Sequence, residues 1–211
     1  MFFHLFHLIY RLRCFHYIDY KDPKIKTEIL NILKKSFGRE TFINLLSTNS
    51  KNIVSLQLDS FKFLTSLIYN VLVESVKIPE SDQLLGEIYL LIKSTMYFSV
   101  DHKGKTITLF HHMKRKLKDF PILNQNSFWN IWFEKEIELK KDRGDSTKQI
   151  IILNICSKMV ELEIQKIIIK NILDDLSNKA FGENSEMGKQ TQKLYMRKIQ
   201  DAKYTLLEKQ K

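Results

Sequence analysis

An irregular all-α bundle of six to eight helices is the fold class that the sequence predicts. Three observations carry it. The 211 residues include only six glycines and three prolines, too few turn formers for a strand-rich barrel. Apolar residues make up 44% of the chain, enough for a sizeable core in one compact domain or two small ones. Those apolar residues recur mainly at helical spacing. The two cysteines, Cys14 and Cys156, lie far apart and form no CxxC pair, so neither a disulfide framework nor a zinc knuckle is indicated and a reducing, cytoplasmic setting is expected.

Met1 to Tyr10 is apolar, but His4 and His7 interrupt it, no basic residue precedes it and no small-residue cleavage site follows, so it does not read as a signal peptide. Residues 1–22 are therefore set apart as an apolar N-terminal extension. Asp22-Pro23 then supplies a cap and a proline at the first helical position, followed by Ile25, Ile29, Leu30, Ile32, Leu33 and Phe37. The spacing predicts a helix closed by Gly38. A short second helix is expected over 39–47, and the polar run from Ser47 to Asn52 reads as a loop.

From about Ser55 to Val76 the apolar residues cover more than half the helical circumference, which predicts a largely buried, central helix. Pro79 ends it. Ser81 with Asp82 opens another helix that runs to about Phe98, and Asp101 to Gly104 reads as a turn. For 105–118, Thr106-Ile107-Thr108 favours a strand and His111 to Lys118 a helix; helix is the expectation. Phe120-Pro121 stops it. A helix over about 126–141 carries Phe128, Trp129, Ile131, Trp132, Phe133 and Ile137.

Ser146 and Gln149 have capping-box spacing ahead of an apolar-periodic stretch to about Leu176, either one central helix or two with a break near Glu161 to Glu163. The bundle domain is thus expected over 23–182. A polar linker follows, and within 183–211 a charged C-terminal helix places Tyr195, Ile199, Ala202 and Leu206 on one narrow apolar stripe. That stripe fits either docking along the bundle or a helix of a partner protein.

Charge and motifs bound the function. Lys and Arg total 34 against 24 Asp and Glu, a net charge of +10, which favours anionic surfaces. The wealth of Lys, Ile and Asn beside just Ala180 and Ala202 also fits AT-rich coding, so charge alone is a mild bias. The densest basic run holds Lys103, Lys105, Lys114, Arg115, Lys116 and Lys118 with no acid between Asp101 and Asp119. It reads either as a solvated face or as a peripheral contact with anionic lipid. Nucleic acid is disfavoured because no exposed aromatics interleave the run for base stacking.

No catalytic spacing is found. Gly104-Lys105-Thr106 ends like a phosphate-binding loop, but Ser99 stands where that loop needs its first glycine. His111 and His112 are adjacent and would point about 100° apart on a helix, unsuited to holding one metal, and His4 with His7 lacks a third ligand. Glu134, Glu136, Glu138, Glu161 and Glu163 read as solvated helix faces rather than acid–base pairs. Arg143-Gly144-Asp145 is read as a chance tripeptide. The expectation is a chain without enzymatic activity, cofactor or metal. Even the Ile-rich stretch from Ile150 to Leu173 carries Lys158, Glu161, Glu163, Lys166 and Lys170, so no span of a membrane is expected.

One stretch resembles a known family. Leu117-Lys118-Asp119-Phe120-Pro121-Ile122-Leu123 followed by Phe128-Trp129-Asn130-Ile131-Trp132-Phe133 is similar to a pattern in the helical region of DENN-type Rab exchange factors, namely the SET-binding-factor (myotubularin-related) domain and the related part of the MAP-kinase-activating death-domain protein. The interval from Pro121 to Phe128 agrees with that pattern, while Phe120 and Leu123 replace its His and Trp. Gly86 to Lys93 and Met96-Tyr97-Phe98 resemble the helix before it, so the likeness covers about 84–205. It implies a helical interaction or adaptor module linked to membrane traffic or Rab signalling, with a protein partner such as a Rab-type GTPase or its regulator. An accessory fragment of an exchange factor is the alternative, and a basic nucleic-acid-binding protein the second. The motif residues Pro121, Phe128, Trp129, Trp132 and Phe133 are expected to mark a packed core, because large aromatics on adjoining turns bury about 150 to 250 Å² each.

Overall fold

The computed structural model describes residues 23–48 and 53–208, with side chains over 24, 27–48 and 53–197. The predominantly helical fold class is as expected. Nine α-helices occur among the described residues, one more than the upper expectation, together with a small sheet. The chain divides into two compact units, one ending at Lys114 and the other running from Arg115. The stretch expected as a single bundle, 23–182, is therefore spread over both, and the C-terminal helix belongs to the second.

In the first unit, α1 spans Pro23–Leu33, α2 Ser36–Thr48, α3 Leu58–Ser75 and α4 Asp82–Ser94. Pro23 does open α1, its missing N–H costing nothing where no intrahelical acceptor exists. The helix does not run to Gly38 as expected. It stops at Leu33, and Phe37 and Gly38 lie in α2, Phe37 exposed. The reason is a close approach: a Cβ on Gly38 would sit 2.1 Å from the Ile32 carbonyl oxygen, so glycine lets the backbone of α2 fold back against α1. The Arg39 guanidinium donates to the Lys34 carbonyl at 2.8 Å, satisfying one orphan acceptor beyond the end of α1. Ser47 and Thr48 finish α2, and the expected loop residues 49–52 lie outside the described residues.

α3 is the centre of this unit, as its all-round apolar pattern predicts. Leu64, Leu67, Ile68, Val71 and Leu72 are fully buried, and α1, α4 and β2 pack on it. Ser81 caps α4 as expected, its Oγ accepting from the Leu84 N–H at 3.2 Å. α4 stops at Ser94. A short 3-10 turn, Thr95–Tyr97, leads into strand β2, Phe98–His102. β2 is the middle of three strands: β1, Val54–Ser55, runs parallel to it through the crossover of α3 and α4, and β3, Lys105–Thr108, runs antiparallel.

The helix expected over 105–118 is therefore corrected. Its first residues form β3, in register Val100↔Ile107 and Asp101↔Thr106, and α5 begins at Leu109 and ends at Leu117. Two factors decide it. Lys103 and Gly104 both take positive φ, 51° and 74°, so they form the tight hairpin turn whose twist suits paired strands. The β-branched run Thr106-Ile107-Thr108 then finds a partner strand.

The second unit continues through a 3-10 turn, Pro121–Asn124, and helices α6 Asn126–Glu138, α7 Asp145–Glu161, α8 Lys166–Phe181 and α9 Glu186–Glu208. α7 and α8 each pack against the other three helices. The Ile-rich stretch is thus central, but as two helices. Between them Glu163 adopts φ 60°, the Ile164 N–H reaches back to the Met159 carbonyl at 3.1 Å, and the Glu163 N–H reaches Val160 at 3.0 Å. These two bonds are the Schellman arrangement, and Ile164 and Met159 at its ends are both buried.

The expected capping box at Ser146 and Gln149 does not form. Gly144 occupies the cap, and the Asp142 carboxylate instead accepts from the Gly144 N–H at 2.9 Å and from the Thr147 hydroxyl at 3.0 Å. Those donors hold the Asp142 carboxyl below its ordinary range. Gln149 is used elsewhere, in the seat of α9.

Candidate functional site

Three groups of residues were singled out from the sequence, and the structure separates them. The Phe-Trp motif is built into the second unit. Phe120-Pro121 breaks the chain direction, Pro121 itself exposed at the first position of the 3-10 turn, and Ile122 and Leu123 turn inward. α6 then places Phe128, Trp129, Trp132 and Phe133 on its buried face, with Phe128 and Trp129 at 0% exposure. Phe128 meets Trp129 and Trp132 edge-on at 5.0 and 5.7 Å, while Trp129 and Trp132 stack at 5.3 Å and 29°. The Trp129 indole N–H donates to the Leu123 carbonyl at 2.8 Å, which ties the 3-10 turn to the helix. Such a cluster packs and positions.

The basic run does not form one surface of uniform character. Lys103 and Lys105 are exposed at the hairpin turn of the first unit, where Asp101 receives the Thr106 hydroxyl at 2.6 Å. On α5 the apolar residues Leu109, Phe110, Met113 and Leu117 are buried, which turns His111, His112, Arg115 and Lys116 outward and leaves Lys114 half-buried. His112 also meets the edge of the Phe61 ring at 5.2 Å. Lys114 and Lys116 make contacts of their own, and Lys118 pairs with Glu163 at 3.3 Å. Lys103, Lys105 and Arg115 remain as exposed cations able to meet an anion. An ammonium or guanidinium at the surface attracts phosphate through Coulomb forces that salt screens within about 10 Å at 0.1 M.

The C-terminal stripe begins inside the second unit. Tyr195 is buried, on the same face of α9 as Gly188 and Thr191, which precede it at steps of four and three. Ile199, Ala202 and Leu206 continue that face along the α9 backbone, but their side chains lie outside the described residues. Burial pushes the Tyr195 phenol up, with the neighbouring Cys156 adding to it, and the phenol oxygen has no hydrogen-bond partner. Burial likewise pushes the Cys156 thiol up to about 12, which keeps it protonated and unreactive near neutral pH.

The glutamates read as solvated faces are mostly engaged in ion pairs along and between helices. Glu134 accepts from Lys179 at 2.6 Å, Glu138 from Lys135 at 3.0 Å and Glu161 from Lys158 at 2.9 Å. Among the described residues no group of three or more His, Cys, Asp or Glu is arranged to hold a metal ion, and His4 and His7 lie outside them. No helix among the described residues is long and apolar enough to cross a membrane.

Polar pairs that sequence reasoning missed hold the second unit together. The Asn130 amide donates to Asp175 at 2.8 Å, Gln192 to Asp174 at 2.9 Å, and Gln149 to the Thr191 hydroxyl at 3.1 Å. No periodicity or motif announces such pairs, because each depends on which helices become neighbours. No family model, curated protein or solved structure matches the chain.

Proposed function

We propose that the chain is a non-enzymatic helical interaction module of membrane traffic or small-GTPase signalling, whose partner is a protein such as a Rab-type GTPase or its regulator. The observation that carries this reading is the use made of the motif residues. Phe128, Trp129, Trp132 and Phe133 are spent on a packed interior, so the motif supports a scaffold and leaves charged helix exteriors to meet a partner. A nucleotide-release assay with a panel of Rab-type GTPases tests it. The purified chain is expected to bind a GTPase or its regulator while leaving nucleotide release at the intrinsic rate; robust exchange by the chain alone overturns the reading in favour of an exchange-factor fragment.

A peripheral contact with anionic lipid is favoured by the exposure of Lys103 and Lys105 at the hairpin turn of the first unit. Sedimentation with phosphatidylserine vesicles should show binding that weakens with salt and falls when these two charges are reversed. Unchanged binding after reversal removes the contact, and tighter salt-sensitive binding to RNA than to any vesicle promotes the nucleic-acid alternative.

A further inference from the structure

Strand β3 is the outer strand of its sheet. The order is β1-β2-β3, so β2 lies on one side of Lys105–Thr108 and no strand lies on the other among the described residues. Which backbone groups face that open side follows from a single bond. The Leu56 N–H donates to the Ser99 carbonyl at 2.8 Å, which turns the polar backbone groups of Ser99 toward β1 and away from β3. Because these groups alternate sides along a strand, those of Val100 and His102 face β3, and their partners Ile107 and Lys105 face back. Thr106 and Thr108 are left to the open edge. Thr108 also caps α5, its Oγ1 accepting from the His111 N–H at 3.3 Å, so its carbonyl belongs to the helix. The edge therefore presents the N–H groups of Thr106 and Thr108 and the carbonyl between them.

An open strand edge is a template for another chain, and the charge beside it selects which chain. Lys103 and Lys105 stand exposed at its turn end, Lys103 held at φ 51° and Gly104 at φ 74° in the hairpin turn. The Asp101 carboxylate beside them accepts the Thr106 hydroxyl at 2.6 Å and leaves this end positive. A second copy of β3 would bring the same two ammonium groups to the same edge, where like charges oppose pairing. A neutral segment gains backbone bonds alone. An acidic one gains those bonds and the attraction of both lysines.

We propose that the open edge of β3 takes up an extended acidic segment of a partner protein, which adds to the sheet through Thr106 and Thr108 while its carboxylates meet Lys103 and Lys105. The edge holds this chemistry whether or not the partner is a Rab-type GTPase. It also differs from a lipid contact, which the same lysines would make by charge without using the backbone.

Amide NMR of the full chain, titrated with a synthetic peptide of alternating glutamate and threonine, reads the addition. The Thr106 and Thr108 N–H signals are expected to shift saturably and to exchange more slowly with solvent, while those of Lys105 and Ile107, already facing β2, change little. The same peptide with lysine in place of glutamate should leave all four where they are. Thr106→Pro removes an outward N–H and no ladder bond, a change that edge strands accept. It should abolish the peptide response while sedimentation with phosphatidylserine vesicles stays as in the wild type.

Should the proline variant fail to fold, charge reversal decides. Lys103→Glu/Lys105→Glu should weaken the acidic peptide about tenfold and let the lysine peptide bind. Absence of a saturable shift at Thr106 and Thr108 up to millimolar acidic peptide overturns the inference. A response that survives Thr106→Pro overturns it equally, because the lysines would then hold side chains without a strand, and one that survives the charge reversal removes the acidic partner.

Discussion

In the first unit α3 is buried on nearly every side, mainly through aliphatic residues with Phe61 and Phe63 among them, whereas in the second α6 contributes a cluster of four large aromatics on one face and polar partners on another. Leu64, Leu67, Ile68, Val71 and Leu72 in α3 touch α1, α4 and the sheet without a hydrogen bond between their side chains. α6 buries Phe128, Trp129, Trp132 and Phe133, while Asn130 and Glu134 bond to Asp175 and Lys179 of α8. The aliphatic core depends on area removed from water and tolerates exchange of like shapes. The aromatic and polar arrangement adds direction, because ring edges and amide groups fit one register of the helices.

The largest expected effects test that contrast. Trp129→Ala removes a fully buried ring, its contacts with Phe128 and Trp132 and the bond to Leu123, and should cost about 3 to 5 kcal/mol in urea unfolding. Leu67→Ala in α3 should cost about 2 to 5 kcal/mol, but Leu67→Met should cost below about 1.5 kcal/mol. If Trp129→Phe is as mild as Leu67→Met, the directional account of the second unit fails.

Gly38→Ala probes the turn between α1 and α2. A methyl group 2.1 Å from a backbone carbonyl cannot be accommodated without moving a helix, so a loss of about 1 to 3 kcal/mol is expected despite the better helix propensity of alanine. A stabilised variant would show that α2 need not approach α1 so closely.

Glu163→Gly should act in the opposite direction. The left-handed position closing α7 favours glycine, and the exposed pair with Lys118 contributes little, so a gain of up to about 1 kcal/mol is expected. Thermal midpoint against the wild type checks it, and destabilisation by more than that amount would mean the Lys118 pair outweighs the turn.

The smallest effect is a pH dependence at Glu87. Partial burial raises its carboxyl above the ordinary range, Glu40 adds to the rise, and the Gln83 bond and Arg39 oppose it. The folded state therefore binds that proton more readily than the unfolded chain. Its contribution is most favourable below the unfolded value and is lost as pH rises through the raised folded value. Glu87→Gln should then stabilise the first unit at pH 7 relative to wild type, with the difference shrinking toward acid pH. A difference that grows on acidification contradicts the assignment.

Much of the helical plan was legible because it rests on local rules. Pro23 at a helix start, Ser81 at a cap and the all-round apolar pattern of α3 each act through neighbours in sequence, and each stands where expected. The burial of the Phe-Trp motif was legible for the same reason, since four large aromatics on adjoining turns have no stable place in water. The boundary between Glu161 and Glu163 was open in the sequence, and the bond from the Ile164 N–H to the Met159 carbonyl decides for two helices.

The rest needed partners far along the chain. Thr106-Ile107-Thr108 becomes a strand because β2 lies beside it, a pairing that the alternation of residues does not reveal. Gly38 passes for a helix stop until the Ile32 carbonyl is found against it. Gln149 has the spacing of a capping residue, yet Thr191, forty-two positions away, takes its amide. The sequence by itself determined the helical class, the central helices and the aromatic interior, through propensity and burial. Tertiary structure decided the sheet, the turn at Gly38 and the polar seat of α9, because close approach and hydrogen bonding act between groups that only folding brings together.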